Sequence, residues 1–263
     1  MKVFFLSLFV CSCLPIVYGV HFLGGTITWR PVNNSLTGPT IPIIITQIYH
    51  WTYYRVNCTY NMSVNHDLII FEPLYGFLET QLLVCVANCP AGYVPPLIRP
   101  YCMNASVELN TVFGERSDII SLTVGDDFTV AFGSSAWRAL KHAGSASWLL
   151  TSNIKLLPRS DNGLFNSAPE AELRSPIYIY WNQSMEIHIP VTDRDGDVFR
   201  CRWARSNLGI DECGGACPPT SLPQNTTIYP NCTIVITGED LDDWHAVTIV
   251  VRIICHIFFK FLC

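Results

Sequence analysis

The spacing of the cysteines constrains the fold of this chain more than any other feature. Of twelve cysteines in 263 residues, ten lie beyond residue 19. Such a density is typical of exported proteins, which fold in an oxidising compartment. Eight of the ten form two sets of four. In each set a single cysteine is followed by a Cys-x-x-x-Cys pair and then by another single cysteine. The first set is Cys58, Cys85, Cys89 and Cys102, and the second is Cys201, Cys213, Cys217 and Cys232. This arrangement predicts two domains, each with its own disulfides. Cys255 and Cys263 belong to neither set.

Four cysteines allow three pairings in each set, and strand alternation favours one of them in the second set. Cys201 shares a strand face with the aromatic residues two positions before and after it, and Cys232 shares one with the isoleucines two and four positions after it. Both cysteines are therefore expected to face a core and to bridge two sheets. Cys213 and Cys217 then close the loop between them. By analogy, the pairs in the first set are expected to be Cys58 with Cys102 and Cys85 with Cys89. Zinc is the competing use of a close cysteine pair, but neither set has the second close pair or the close histidines of a zinc site.

The N-terminus has the pattern of a secretory signal peptide over residues 1–19. Lys2 precedes an apolar stretch from Val3 to Leu14, and a small-residue exit ends at Gly19. The stretch is shorter than the roughly 20 residues of a membrane span, so cleavage and secretion are predicted. Seven N-glycosylation sequons support export; their acceptors are Asn33, Asn57, Asn61, Asn104, Asn182, Asn225 and Asn231.

Composition and turn signals favour an all-β protein. The chain is 49% hydrophobic and 14% charged, which excludes an intrinsically disordered protein. A net charge of −5 without a run of Lys or Arg gives no nucleic-acid footprint. One segment, 136–143, is a candidate for a short helix. Runs of β-branched and aromatic residues between turn signals predict strands over 26–29, 41–48, 51–56, 81–86, 119–124, 128–132, 148–157, 177–181, 185–191, 198–203, 232–237 and 246–251.

Many short strands separated by turns indicate β-sandwiches, and a polar stretch divides them into two. Residues 159–168 are predicted to be a linker between a first sandwich domain, 20–158, and a second, 169–251. The tail 252–263 is apolar, but Arg252, His256 and Lys260 make it a poor membrane span. We expect this tail to replace the last strand of the second domain through a truncated or mis-spliced C-terminus.

The second half resembles a family of tandem extracellular repeats. The residues Asn166-Ser-Ala-Pro169 and Val191-Thr-Asp-Arg-Asp-Gly-Asp197, with Trp203 following, are similar to the linker and acidic turn of cadherin-like and polycystic-kidney-disease-type repeats. The resemblance implies an Ig-like or cadherin-like β-sandwich. The opening, His21 to Trp29 with Ile45 to Trp51, resembles the start of uncharacterised invertebrate extracellular proteins that carry such repeats in longer chains. That likeness implies location and architecture without an activity.

Asp193, Asp195 and Asp197 are the best candidate site in the sequence. Alternate carboxylates in a loop can converge on Ca²⁺, which takes about six to eight oxygen ligands. The EF-hand pattern fails, because its sixth and twelfth positions would be Val198 and Ala204. In the repeats that this stretch resembles, the acidic turn binds calcium or simply forms a tight turn, and both interpretations stay open. No other cofactor is expected.

Two further clusters have an ordinary structural interpretation beside a functional one. Tyr49, Trp51 and Tyr53 fall on one strand face, which fits either core packing or a platform for sugars. An acidic group that precedes Trp244 fits a solvated turn, or could bring a carboxylate close to the Asp193 loop; its members are Glu239, Asp240, Asp242 and Asp243.

No sequence motif supports catalysis. There is no Gly-x-Ser-x-Gly elbow and no His-Glu-x-x-His pair among the seven histidines. We therefore predict a secreted or cell-surface glycoprotein with a structural or adhesive role, acting through contacts with other extracellular proteins and not as an enzyme. The alternative is a secreted recognition protein, glycan-binding or defence-related, that uses the strand near Trp51. A secreted hydrolase is the least favoured class.

Overall fold

A computed structural model describes residues 22–135, 137–144, 146–172, 175–207 and 209–254. The predicted signal peptide and the end of the predicted C-terminal tail, from residue 255, lie outside these residues. The strands are β1 (Phe22–Pro31), β2 (Thr40–Thr52), β3 (Val56–Asn57), β4 (Ile70–Phe71), β5 (Val84–Ala87), β6 (Tyr101–Ser106), β7 (Thr111–Thr123), β8 (Asp127–Ser134), β9 (Trp148–Lys155), β10 (Glu170–Ala171), β11 (Ser184–His188), β12 (Val191–Thr192), β13 (Val198–Trp203), β14 (Thr227–Ile228), β15 (Thr233–Thr237) and β16 (Ile249–Ile254).

Helix is a minor part of the described chain, as the sequence predicts for an all-β protein. A short α-helix, α1, spans Tyr60–Asn65, and 3-10 helices span Tyr53–Arg55 and Pro73–Thr80. The Thr59 hydroxyl accepts a bond from the Met62 amide at 3.3 Å and so caps α1. None of the described helices is long and apolar enough to cross a lipid bilayer.

The largest sheet is antiparallel, with strand order β1-β2-β7-β6. β2 and β7 pair along their whole length, from Thr40 opposite Thr123 to Thr52 opposite Thr111. Ile41, Ile43 and Ile45 are fully buried, while the residues between them are partly exposed. This alternation follows from the two-residue period of a strand with one face on the core.

A second sheet, β5-β8-β9, packs its side chains into the same core. Phe22 lies at the centre of the aromatic contacts. Its ring stacks on Trp148 at 4.5 Å and meets Trp51 edge-on at 4.9 Å and Trp137 at 5.1 Å. Aromatic side chains bury the largest apolar areas of any residue type, so this cluster provides much of the core of the first half (residues 22–158).

The second half (residues 169–254) has a smaller core around one disulfide. The sheets β11-β15-β14 and β13-β16 contribute to it, and its buried members are Ile189, Cys201, Cys232, Ile234 and Ile236. The last strand, β16, runs to Ile254 and pairs with β13 as far as Val198. Residues 252–254, which the sequence assigned to a tail, therefore lie in a strand.

Four disulfides join the eight cysteines in the pairs predicted from the sequence. The Cα–Cα distances are 5.4 Å for Cys58–Cys102, 5.6 Å for Cys85–Cys89, 5.0 Å for Cys201–Cys232 and 5.2 Å for Cys213–Cys217. All four lie within the usual range for a bridge. Cys201 in β13 and Cys232 beside β15 connect two different sheets, as expected from the strand alternation.

Three local predictions were wrong. The strand predicted over 51–56 ends at Thr52, and Tyr53–Arg55 form a 3-10 helix, so Tyr53 does not share a strand face with Tyr49 and Trp51. Residues 137–143 are not helical: the amides of Leu140 and Gly144 each donate to the carbonyl of the other, at 2.8 and 3.0 Å, which closes a narrow loop. Gly144 reaches the left-handed region needed there, with φ +55°. Residues 177–181 do not form a strand either. This segment makes a single bridge, between Trp181 and Gly238. Ile179 packs against the second core, while the other side chains of the segment are exposed.

Candidate functional site

The predicted linker lies against the first half of the chain and is not a free connection. The Phe165 amide donates to the Asn34 carbonyl at 2.9 Å, and the Ala168 amide donates to the Trp29 carbonyl at 2.9 Å. Arg159 and Leu164 pair within the linker at 2.8 Å. These backbone bonds fix the direction in which the chain enters its second half.

Arg159 connects this linker to the second half. Its guanidinium binds both carboxylate oxygens of Asp197, one of them at 2.7 Å, and also contacts Asp161 at 2.9 and 3.0 Å and Asn166 at 2.8 Å. Hydrogen bonds to Asp161 and Asp197 raise the pKa of Arg159 above its ordinary value. The side chains of Arg159 and Asp197 are only 15% and 17% exposed, so the charge-assisted bonds between these two residues are largely shielded from water and from salt.

The Asp193 loop is organised as a capped turn whose carboxylates have separate partners. Asp193 Oδ1 accepts the amides of Asp195 and Asp197, both at 3.0 Å, and Asp195 Oδ2 accepts the Ser167 amide at 2.6 Å. Asp193 Oδ2 is buried and has no hydrogen-bond partner among the described residues, and burial raises the pKa of this carboxyl group. Asp197 is occupied by Arg159, so a calcium ion here would have to compete with a guanidinium. Calcium binding at this loop stays a prediction.

A large cleft lies between the two halves, with a volume of about 1940 Å³. β1, β9 and the linker form one side, and the strands and loops of the second half form the other. Isoleucines of the second core, among them Ile187 and Ile236, reach its surface. The cleft is therefore large enough for an extended segment or a sizeable ligand, and much of its wall is apolar.

Part of an exposed aromatic segment lines this cleft, through Ile177, Tyr178 and Trp181. Ile177, Tyr178, Tyr180 and Trp181 are each between 47% and 70% exposed. The Trp181 indole donates to the Glu239 carbonyl at 2.9 Å, which holds the segment beside the acidic stretch of the second half. We refer to residues 177–181 as the aromatic segment. Exposed apolar surface on this scale is characteristic of interaction sites.

Next to the aromatic segment, the first half reaches the second through the loop at 137–144. The Lys141 amide donates to the Trp244 carbonyl at 2.9 Å, and the Arg138 guanidinium lies 3.7 Å from the centre of the Trp244 ring. Burial lowers the pKa of Arg138. Lys141 Nζ pairs with Asp240 and lies 2.9 Å from Asp243. Lys141 thus pairs with two of the four carboxylates of the predicted acidic group.

Two histidines and two carboxylates meet at the same place, and we call His142, Glu239, Asp243 and His245 the junction cluster. His142 Nε2 lies 2.6 Å from Glu239 Oε2, and the rings of the two histidines stack at 5.6 Å. One ligand atom from each of Glu239, Asp243 and His245 lies within 4.8 Å of the others. Of the described residues, one other group is as close, and it contains the bonded pair Cys213–Cys217.

His245 is the least satisfied member of the junction cluster. Both of its ring nitrogens are shielded from solvent, and neither has a hydrogen-bond partner in the described part of the chain. Burial lowers the pKa of His245; His142 and Lys141 act in the same direction, while Glu239 and Asp243 oppose it. The fold therefore favours the neutral imidazole, the form that can bind a metal.

The strand face around Trp51 is core. Tyr49 and Trp51 are both 0% exposed. The Tyr49 hydroxyl donates to Gln47 Oε1 at 2.7 Å, and Gln47 Nε2 donates to the Leu97 carbonyl at 3.0 Å. Burial raises the pKa of Tyr49. Neither Tyr49 nor Trp51 can stack on an external sugar without unfolding of the core.

Sequence reasoning singled out the Asp193 loop and the acidic stretch, but it missed the junction cluster and the exposure of the aromatic segment. Glu239, Asp243 and His245 are close in sequence, and this local spacing of ligand-type residues was the one available signal. All seven sequon asparagines, by contrast, are exposed as expected of glycan acceptors. Comparisons of the chain with protein-family models, with curated proteins and with solved structures found no match.

Proposed function

We propose that this chain is an exported, N-glycosylated structural or adhesive module that binds other extracellular proteins through the aromatic segment. Its two halves are two β-sandwich domains in tandem, and the second is Ig-like or cadherin-like. The protein acts by surface contact and not by turnover.

Export and glycosylation are supported by two independent properties of the chain. Four disulfides bond the eight cysteines of the two sets, and such bridges persist in oxidising compartments and are rare in the cytosol. The exposure of all seven sequon asparagines leaves each of them accessible to a glycan.

A fixed angle between the halves suits a structural role. The contacts of Arg159 with Asp197, of Ser167 with Asp195 and of Lys141 with Trp244 all cross the junction. The amide of Gly215 adds another, because it donates to the Ser147 carbonyl at 3.0 Å. A module held in this way presents its binding surface in one orientation, which reduces the entropy lost on association.

The observation that carries the proposal is the exposure of the aromatic segment. Tyr178 and Tyr180 are 61% and 70% exposed, and Trp181 is 58% exposed. Tyrosine and tryptophan are enriched in protein interfaces and in binding hot spots. A run of exposed large rings beside a partly apolar cleft is an unfavourable surface in water unless a partner covers it.

Attachment of coated beads tests this proposal. Fluorescent beads carrying the secreted protein are scored for aggregation with one another and for attachment to cells that secrete it and to their extracellular matrix. Wild-type protein should attach. Replacement of Tyr178, Tyr180 and Trp181 by Ser should reduce attachment at least tenfold, because each lost aromatic anchor is worth about 1 kcal/mol or more.

Two control proteins make the result specific. Tyr54→Ser with Tyr60→Ser removes aromatic rings that are 64% and 82% exposed elsewhere on the first half, and it should leave attachment unchanged. Ser184→Ala abolishes the sequon at Asn182, next to the aromatic segment, and separates the effect of a glycan from that of the rings. Equal loss in the Tyr54 and Tyr60 control, or wild-type beads that bind nothing, would contradict the proposal.

A further inference from the structure

The junction cluster combines ligand types from both halves of the chain. His142 comes from the loop of the first half, and Glu239, Asp243 and His245 come from the segment between β15 and β16. Three of these side chains already place one ligand atom each within 4.8 Å of the others. The fourth, His142, touches the set through its Nε2, 2.6 Å from Glu239 Oε2.

The unsatisfied imidazole points to a missing partner. A neutral histidine has one N–H donor and one lone pair, and both nitrogens of His245 are shielded without a hydrogen bond among the described residues. Buried polar groups nearly always have a partner in native proteins, and an unsatisfied one calls for an ion, a water molecule or a functional role. A metal ion bound to one nitrogen uses the lone pair directly.

The donor set selects the class of ion. Imidazole nitrogen with carboxylate oxygen suits zinc and related first-row divalent ions, whereas calcium and magnesium take oxygen ligands. Two histidines and two carboxylates make up the number of ligands of a tetrahedral zinc site. We propose that the junction cluster binds a zinc-type divalent cation and thereby links the two halves of the chain. This inference does not depend on the adhesive function.

Lys141 is the internal competitor for this ion. Its ammonium lies 2.9 Å from Asp243 Oδ2 and also pairs with Asp240. Asp240 is well exposed and belongs to the same turn, so Lys141 keeps one anionic partner when Asp243 turns to the metal. Binding must also break the contact between His142 and Glu239, and the ion then lies between these two groups.

Calorimetric titration of ZnCl₂ into the metal-stripped, untagged full-length protein tests the proposal. We expect one zinc ion per chain with a Kd in the micromolar range or below, a rise in melting temperature with zinc, and no displacement of bound zinc by CaCl₂ at the same concentration. Co²⁺ in place of zinc should give the visible absorption bands of a four-coordinate site with nitrogen ligands. A heat of binding without one-to-one stoichiometry, or cobalt bands typical of the hydrated ion, would overturn it.

Variants of the cluster separate a metal site from an ordinary ion-pair network. His142→Ala and Glu239→Gln change partly exposed side chains and should each weaken zinc binding at least tenfold, while His245→Gln should abolish it. His188→Ala removes an exposed histidine on β11 and should bind zinc like the wild type. Lys141→Gln should bind zinc several-fold more tightly, because a competing cation is gone. If Lys141→Gln weakens binding, or if His142→Ala leaves it unchanged, the site is not the one proposed.

Discussion

Loss of the Cys58–Cys102 bridge should destabilise the first half far more than loss of Cys85–Cys89. The two bridges have similar Cα–Cα distances, but Cys58–Cys102 joins residues 44 positions apart in the sequence and Cys85–Cys89 joins residues 4 positions apart. The closed-loop entropy of the unfolded chain then gives about 4.0 kcal/mol for the long bridge and about 1.9 kcal/mol for the short one. Cys58 and Cys102 are also buried in the main core, whereas Cys89 is exposed, so packing increases the difference.

Urea unfolding followed by tryptophan fluorescence measures this contrast, because Trp51 and Trp148 lie in the core of the first half. Each bridge is removed by replacing both of its cysteines with Ala. With a slope of about 2 kcal/mol per molar urea, the midpoint should fall by roughly 2 M without the long bridge and by roughly 1 M without the short one. Equal shifts, or a larger shift for Cys85–Cys89, would refute the dependence on loop length.

Three further predictions concern the junction and the core. Arg159→Ala should lower the unfolding free energy by about 3 kcal/mol because it leaves Asp197 unpaired in a shielded site, while Arg194→Ala at an exposed pair should change it by under about 0.5 kcal/mol; thermal denaturation of both variants compares them. In EDTA, stability should increase as the pH rises toward the ordinary histidine pKa, because the pKa of His245 is lowered by burial in the folded state; pH-dependent unfolding of His245→Gln should show a weaker increase. Trp51→Ala should cost about 3–5 kcal/mol, measured by urea unfolding, and an unchanged midpoint would contradict its place in the core.

Local sequence pattern predicted those parts of the fold that depend on one strand at a time. The strand predicted over 41–48 lies within β2, and the alternation around Cys201 and Cys232 anticipated a bridge between sheets. These inferences work because the direction of a strand side chain is set by its parity in the sequence.

Predictions that depend on a partner far along the chain were weaker. Residues 177–181 have strong strand propensity. In the described part of the chain, however, they pair only through the bridge between Trp181 and Gly238, and their own sequence could not reveal that a neighbouring strand is missing. The contact of His142 with Glu239 joins residues 97 positions apart. Such a pair is created by the packing of the two halves, and no local spacing can reveal it.

The pairing of β2 with β7 has a consequence for how the chain is made. During synthesis, the whole of β7 exists only after residues 53–123 have been added behind β2. This takes roughly 4 to 14 seconds at ordinary translation rates. Throughout that interval Ile41, Ile43 and Ile45 have only the β1 hairpin beside them. A nascent chain that stalls between these two strands therefore exposes the apolar face of an incomplete sheet. The yield of folded protein should depend on holdase chaperones and on the codons that set the translation rate across residues 53–123.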